Sequence, residues 1–99
     1  MTEDPLKVFQ KFDPEIHKWV DNLRSFAFKD GALPGKVKIL IAMALDAVNG
    51  SANGVRALAR AAMKAGASKK EIGEALRVAL YVGGVDSAYT AARGLSGSS

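Results

Sequence analysis

Apolar residues recur at helical spacing in five stretches of the chain, and no stretch shows a sustained period of two. The first opens at Phe12-Asp13-Pro14-Glu15-Ile16, where Asp13 can cap, Pro14 fits the first helical position and Glu15 suits the positive helix end. A helix from Pro14 to about Ala27 gathers Ile16, Trp19, Val20, Leu23 and Phe26 or Ala27 on one face, and Lys29-Asp30-Gly31 ends it. Leu33-Pro34-Gly35 opens the second helix, which runs from Lys36 to Val48. Beyond its first turn it is apolar on every side except at Asp46. That pattern marks a central helix or one covered by a partner subunit.

Asn49-Gly50 stops the second helix, and a third runs from about Ala52 to Ala65, with Val55, Leu58, Ala59, Ala62 and Met63 inward. Arg56, Arg60 and Lys64 face outward, and Gly66 is the natural C-terminal cap residue. Ser68 and Glu71 then form a capping box for a fourth helix carrying Ile72, Ala75, Leu76, Ala79 and Leu80 on one face. Gly83-Gly84 terminates it, and Asp86 or Ser87 can cap a short fifth helix to about Arg93. The expected architecture is all-α: a single domain over residues 1–93, with Gly94 to Ser99 as a flexible tail.

Chain length changes what this bundle needs. Ninety-nine residues bury only roughly 60–65% of the surface that the unfolded chain exposes, so the core alone is marginal. With no cysteine there is no disulfide to supplement it, which points to oligomerisation. The alanines concentrated in helices two to five allow close helix approach and a tight bundle whose exposed apolar surfaces seek partner chains.

The absence of cysteine also excludes thiolate metal sites and thiol nucleophiles, and a single histidine, His17, excludes a His-rich metal site. No cofactor is expected. The longest apolar run, Ile39 to Leu45, is too short to span a bilayer, and Met-Thr-Glu-Asp-Pro lacks the regions of a signal peptide. The expectation is a soluble cytoplasmic protein. Net charge is +4: residues 1–33 hold six acids against five bases, residues 34–99 four against nine. Such a bias attracts anions, but the seven scattered aromatics form no stacking platform, so nucleic acid is not an expected partner.

Leu33-Pro34 through Gly50, then Arg60-Ala-Ala-Met-Lys-Ala-Gly-Ala-Ser68 with Glu71-Ile72 and Ala75-Leu76, then Tyr81-Val-Gly-Gly84, follow in an order that resembles one family. The chain resembles the carboxymuconolactone decarboxylase and alkylhydroperoxidase D-like family over roughly residues 33–92. The resemblance implies an all-helical bundle around an antiparallel helix pair, assembled as a homo-oligomer, either a trimer or a hexamer. The peroxidase branch carries Cys-x-x-Cys, a His four residues later and a Glu on the preceding helix. Here those positions fall on Ser51, Gly54, Leu58 and Ile39. A disulfide cycle needs a thiolate to attack peroxide and a second thiol to resolve it, and Ser51 cannot substitute. The decarboxylase branch keeps the histidine, which is also missing at Leu58.

Other residues remain as candidates. Asp46 is either a pocket acid with a raised pKa, or a structural carboxylate paired with a base such as Arg56 or capping a neighbouring helix. Asn49, Ser51 and Asn53 can bind a small ligand at a helix N-terminus or serve as turn and cap residues. Arg56, Arg60 and Lys64 make a basic stripe able to hold a small anionic ligand, or simply a solvated helix face. Tyr81 and Tyr89 flank Gly83-Gly84 and can line a pocket or pack across the helix junction, while His17 reads as a surface or boundary residue. Two functions follow: a homo-oligomeric small-ligand-binding or scaffold module without thiol peroxidase activity, or a decarboxylase-type enzyme for a small carboxylated substrate using Asp46 or cross-subunit residues.

Overall fold

Proline, glycine and serine set the helix boundaries in the computed structural model, which describes residues 4–97. A 3-10 turn, Pro5–Val8, leads into the one-turn helix α1, Phe9–Phe12. Five longer helices follow: α2 Pro14–Phe28, α3 Gly35–Val48, α4 Ala52–Lys64, α5 Lys69–Gly83 and α6 Val85–Leu95. Among the described residues there is no strand, so the class is all-α. Asp13 caps α2 by accepting from the Glu15 amide at 3.1 Å. Ser68 and Glu71 close their capping box over α5 at 3.0 and 2.9 Å.

The α4 stop is a Schellman motif. Gly66 takes φ +102°, its amide donates to Met63 O, and the Ala67 amide reaches Ala62 O. Gly50, at φ +82°, ends α3 in the same way, with Ser51 N donating to Asp46 O. Only three residues therefore separate α3 from α4, and the two pack as a hairpin.

The core is made of small side chains. Met43 and Ala47 of α3, Val55 and Ala59 of α4, Ile72 and Ala79 of α5 and Ala91 of α6 form its buried cluster. Leu58, Met63, Ala75 and Leu76 pack half-buried against it, as their helical spacing predicts. Lys36, in the first turn of α3, ties that helix to the start of α5 through Glu71 at 3.1 Å. The Glu71 carboxyl is held below its usual range, first by the Ser68 amide and then by Lys36.

Two boundaries differ from expectation. Neither Asp86 nor Ser87 caps α6, because Gly84 at φ +78° serves as the cap for both α5 and α6, leaving no loop to host a side-chain cap. Nor does the tail begin at Gly94: α6 continues through Gly94, which is buried, to Leu95. A Cβ at Gly94 would come within 2.7 Å of Ala52 O and 2.8 Å of Val55 Cβ, so glycine is what lets α6 lie against α4. Ser98 and Ser99 of the expected tail lie outside the described residues.

The second helix proves only half central. Met43 and Ala47 are buried, but Ile41 and Leu45 are exposed. The α2 face is covered within the chain only in part: Val20 is half-buried, but Trp19 is 69% exposed, Leu23 64% and Phe26 74%. Its amphipathic pattern is real, but among the described residues most of the apolar face stays uncovered.

Gly94→Ala should lower stability by about 1–3 kcal/mol, the usual range for forcing extra volume into a packed contact. Thermal unfolding followed by circular dichroism measures it, at roughly 4–8 °C of melting temperature per kcal/mol.

Candidate functional site

The α3–α4 hairpin brings together most of the candidate residues. Asp46 lies near the end of α3, Asn49 is its C-cap, and Ser51 is the N-cap of α4. Ser51 Oγ accepts from the Gly54 amide at 3.1 Å, so the hydroxyl is committed to the helix start. Asn49 and Asn53 are exposed on either side of that cap.

Asp46 reaches across the hairpin to the first turn of α4. A Cβ on Gly54 would overlap the Asp46 carboxylate and would sit 2.8 Å from Ser51 Oγ. Glycine at this position is thus the space that the carboxylate occupies. The site is half-buried, and desolvation raises the Asp46 pKa above that of an ordinary carboxyl, with no other cause opposing it.

Asp46 does not pair with Arg56. The Arg56 guanidinium turns instead to the C-terminal end of α6, where Nε donates to Gly94 O at 3.0 Å and an Nη to Arg93 O at 2.9 Å. A cation there satisfies the last carbonyls of α6 and suits its negative helix end. Arg56 is therefore a clamp between α4 and α6, a use that removes it from the anion-binding stripe. Tyr81 is 90% exposed and Tyr89 62%, so neither lines a pocket nor packs across the α5–α6 junction. His17 belongs to the N-terminal arm, where Nε2 lies 2.9 Å from Asp4 and Nδ1 3.2 Å from Asp21. That contact holds the Asp4 carboxyl below its usual range.

Two concave surfaces lie elsewhere. One is an open groove of about 300 Å³ between α3 and α5, lined only by apolar residues that include Val37, Ile41, Leu45, Val78 and Val82. The other, about 410 Å³, is formed by α2 itself around Trp19, Leu23 and Phe26. Neither is bordered by Asp46, Asn49 or Ser51. Among the described residues no three of His, Cys, Asp and Glu converge to hold a metal ion, and no helix is long and apolar enough to cross a membrane.

The sequence pattern of the carboxymuconolactone decarboxylase family matches residues 14–96. The chain belongs to that family. It is also similar to the crystal structure of an apo carboxymuconolactone decarboxylase family protein from Legionella pneumophila. The two share 37% identity with a TM-score of 0.84, over 91% of this chain and 80% of that one. No curated protein matches the sequence.

Set in the family's fold, the positions that the resemblance assigns to thiol chemistry all have structural uses here. Ser51 caps, Gly54 makes room for a carboxylate, Leu58 packs against the core and Ile39 is half-buried. The Asp46–Gly54 contact and the Arg56 clamp are the relations that sequence reading does not supply. A glycine in the first turn of α4 is the one local sign that something approaches there.

The raised Asp46 pKa has a definite sign. The folded state holds the proton more tightly, so its contribution to stability is favourable below the unfolded carboxyl's pKa and is lost as pH rises through the folded value. Asp46→Asn should therefore be more stable than the parent at pH 7, with the difference closing as pH falls towards about 4. Urea unfolding across that range measures the difference; a variant less stable at pH 7 would contradict it.

Proposed function

We propose that this chain is a carboxymuconolactone decarboxylase family member without thiol peroxidase activity, acting in the cytoplasm as a homo-oligomeric binding or scaffold module. One observation carries the reading. The helix start where the family resemblance places its reactive pair is occupied by a committed cap hydroxyl and by a glycine lying under a carboxylate. Peroxide reduction needs a thiolate nucleophile and a resolving thiol, and the chain contains no sulfur except in methionine. A small anion approaching the same helix end meets the Asp46 carboxyl group, which favours the apolar groove as the surface used for recognition.

A second reading draws on Asp46. Its raised pKa suits a proton donor or acceptor, and it stands at the family's reaction corner, which fits a lyase acting on a small carboxylated lactone. Release of carbon dioxide that disappears in Asp46→Asn would favour that reading over the first.

For the first reading, turnover of hydrogen peroxide or an organic hydroperoxide with a dithiol reductant should not exceed the rate without protein. Saturable turnover that scales with protein concentration would overturn it.

A further inference from the structure

The chain holds three asparagines, Asn22, Asn49 and Asn53, all exposed, and the last two are each followed by glycine on either side of the α4 cap. An asparagine before a glycine can react with itself. The next residue's amide nitrogen attacks the side-chain carboxamide, and glycine puts no side chain in its way. The attack needs the peptide plane after the asparagine to turn out of its helical setting, so the fold decides which pair reacts. At Asn49 that plane is free to turn. Asn49 is the C-cap of α3, at φ −80° and ψ −2°, and the Gly50 amide is held by a long bond of 3.3 Å to Ala47 O. Gly50 is exposed at φ +82°, with open space where a Cβ would stand. It can therefore take up a compensating rotation while Ser51 N keeps its 2.9 Å bond to Asp46 O. At Asn53 the plane is locked. The Gly54 amide donates to the Ser51 cap at 3.1 Å, the Val55 amide donates to Ser51 O at 3.0 Å, and the Asp46 carboxylate lies against Gly54. Asn22 sits inside α2 and precedes Leu23, whose side chain hinders the same attack.

We propose that Asn49 is a site of intramolecular deamidation, which places a second carboxylate beside Asp46. The Gly50 nitrogen loses its proton to solvent base and bonds to the side-chain carbonyl carbon of Asn49. The carboxamide carbon–nitrogen bond then breaks, the leaving nitrogen takes up a proton, and ammonia departs from a five-membered succinimide joining residues 49 and 50. Water opens that ring at either carbonyl, giving aspartate at 49 or isoaspartate, in which the main chain runs through Cβ. One water enters and one ammonia leaves, with no oxidant, metal or second protein, so neither reading of function is needed for it. The product matters because of where it stands. Position 49 follows Asp46 by three residues, a spacing that brings helical side chains within about 5–6 Å. The new charge also meets the negative end of α3, where an anion is unfavourable. Asp46 already bears a desolvation cost in the half-buried hairpin, and a like charge beside it adds repulsion. The isoaspartate product further lengthens the three-residue link between α3 and α4 by one backbone carbon.

Incubation of the full chain at mildly alkaline pH, followed by proteolysis and mass spectrometry, tests this. Each conversion adds one mass unit, and electron-based fragmentation separates isoaspartate from aspartate. In buffer, residue 49 should convert several-fold faster than residue 53, with residue 22 unchanged. In guanidinium chloride, where only the local sequence acts, 49 and 53 should convert at similar rates. Native rates that are equal at the two positions, or faster at 53, overturn the fold's selection of Asn49. A native chain that stays unmodified at 49 while the unfolded chain converts there overturns the site itself. The effect on Asp46 has a separate readout. Asn49→Asp should lower the melting temperature by a few degrees at neutral pH, and by less in an Asp46→Asn background. Equal shifts in the two backgrounds would overturn the placement of the new charge beside Asp46.

Discussion

The close approach of helices across small side chains is the constraint on which the structure depends. Ala47, Ala59, Ala79 and Ala91 supply much of the buried cluster, and Gly94 lets α6 lie against the backbone of Ala52. Close approach gives dense packing and many dispersion contacts, but a core of alanines removes little apolar area from water per residue. It also leaves no internal volume for bulky groups. Trp19, Leu23, Phe26, Leu45 and Tyr81 are accordingly outside. The chain thus keeps several large apolar side chains exposed around a core of small ones.

The same tight packing explains how charge is handled. Long side chains cross gaps that short ones cannot: Arg56 reaches from α4 to the last carbonyls of α6, and Lys36 reaches from α3 to Glu71 at the start of α5. Both contacts sit at helix ends: the partners of Arg56 are the unpaired carbonyls of Arg93 and Gly94, and the partner of Lys36 is the Glu71 carboxylate in the first turn of α5. They fix the ends of helices whose middles are held by alanine. Asp46 is the exception, since it lies in the half-buried hairpin without a cation and bears the desolvation cost.

Local chemistry made much of the fold legible. Asp13-Pro14, Ser68 with Glu71, and the glycines at 50, 66 and 84 mark helix ends through hydrogen bonds made within a few residues, so sequence is enough to read them. The inward face of α4 was readable from its helical period, and so was that of α5 except at Leu80, which is exposed. The face of α2 was readable only as a face. An apolar stripe records that it needs covering and says nothing about which chain covers it. Arg56 could not be placed either, because its partners lie 37 and 38 residues away and a basic stripe reads the same whether it is solvated or clamped. The end of α6 was missed because glycine usually ends helices, whereas Gly94 is kept within one by the need for contact with α4. At the candidate site, composition alone excluded thiols, but the relation between Asp46 and Gly54 exists only in the folded hairpin.

That relation bears on which chemistry the hairpin can host. A thiol at a helix N-terminus is activated by the same amide dipoles that a serine satisfies by capping. Ser51 in the cap and Gly54 under Asp46 leave the helix start locally satisfied, with a carboxylate close to the place where a thiolate's charge would be stabilised. The hairpin therefore needs no reactive group to hold its shape. Thiols placed at 51 and 54 would face two costs: a side chain at 54 would collide with Asp46, and a thiolate would lie near a carboxyl group whose ionised form would raise the thiol pKa. The carboxylate that fits this corner is thus itself an obstacle to a thiol pair there, and Asp46 would have to change together with positions 51 and 54.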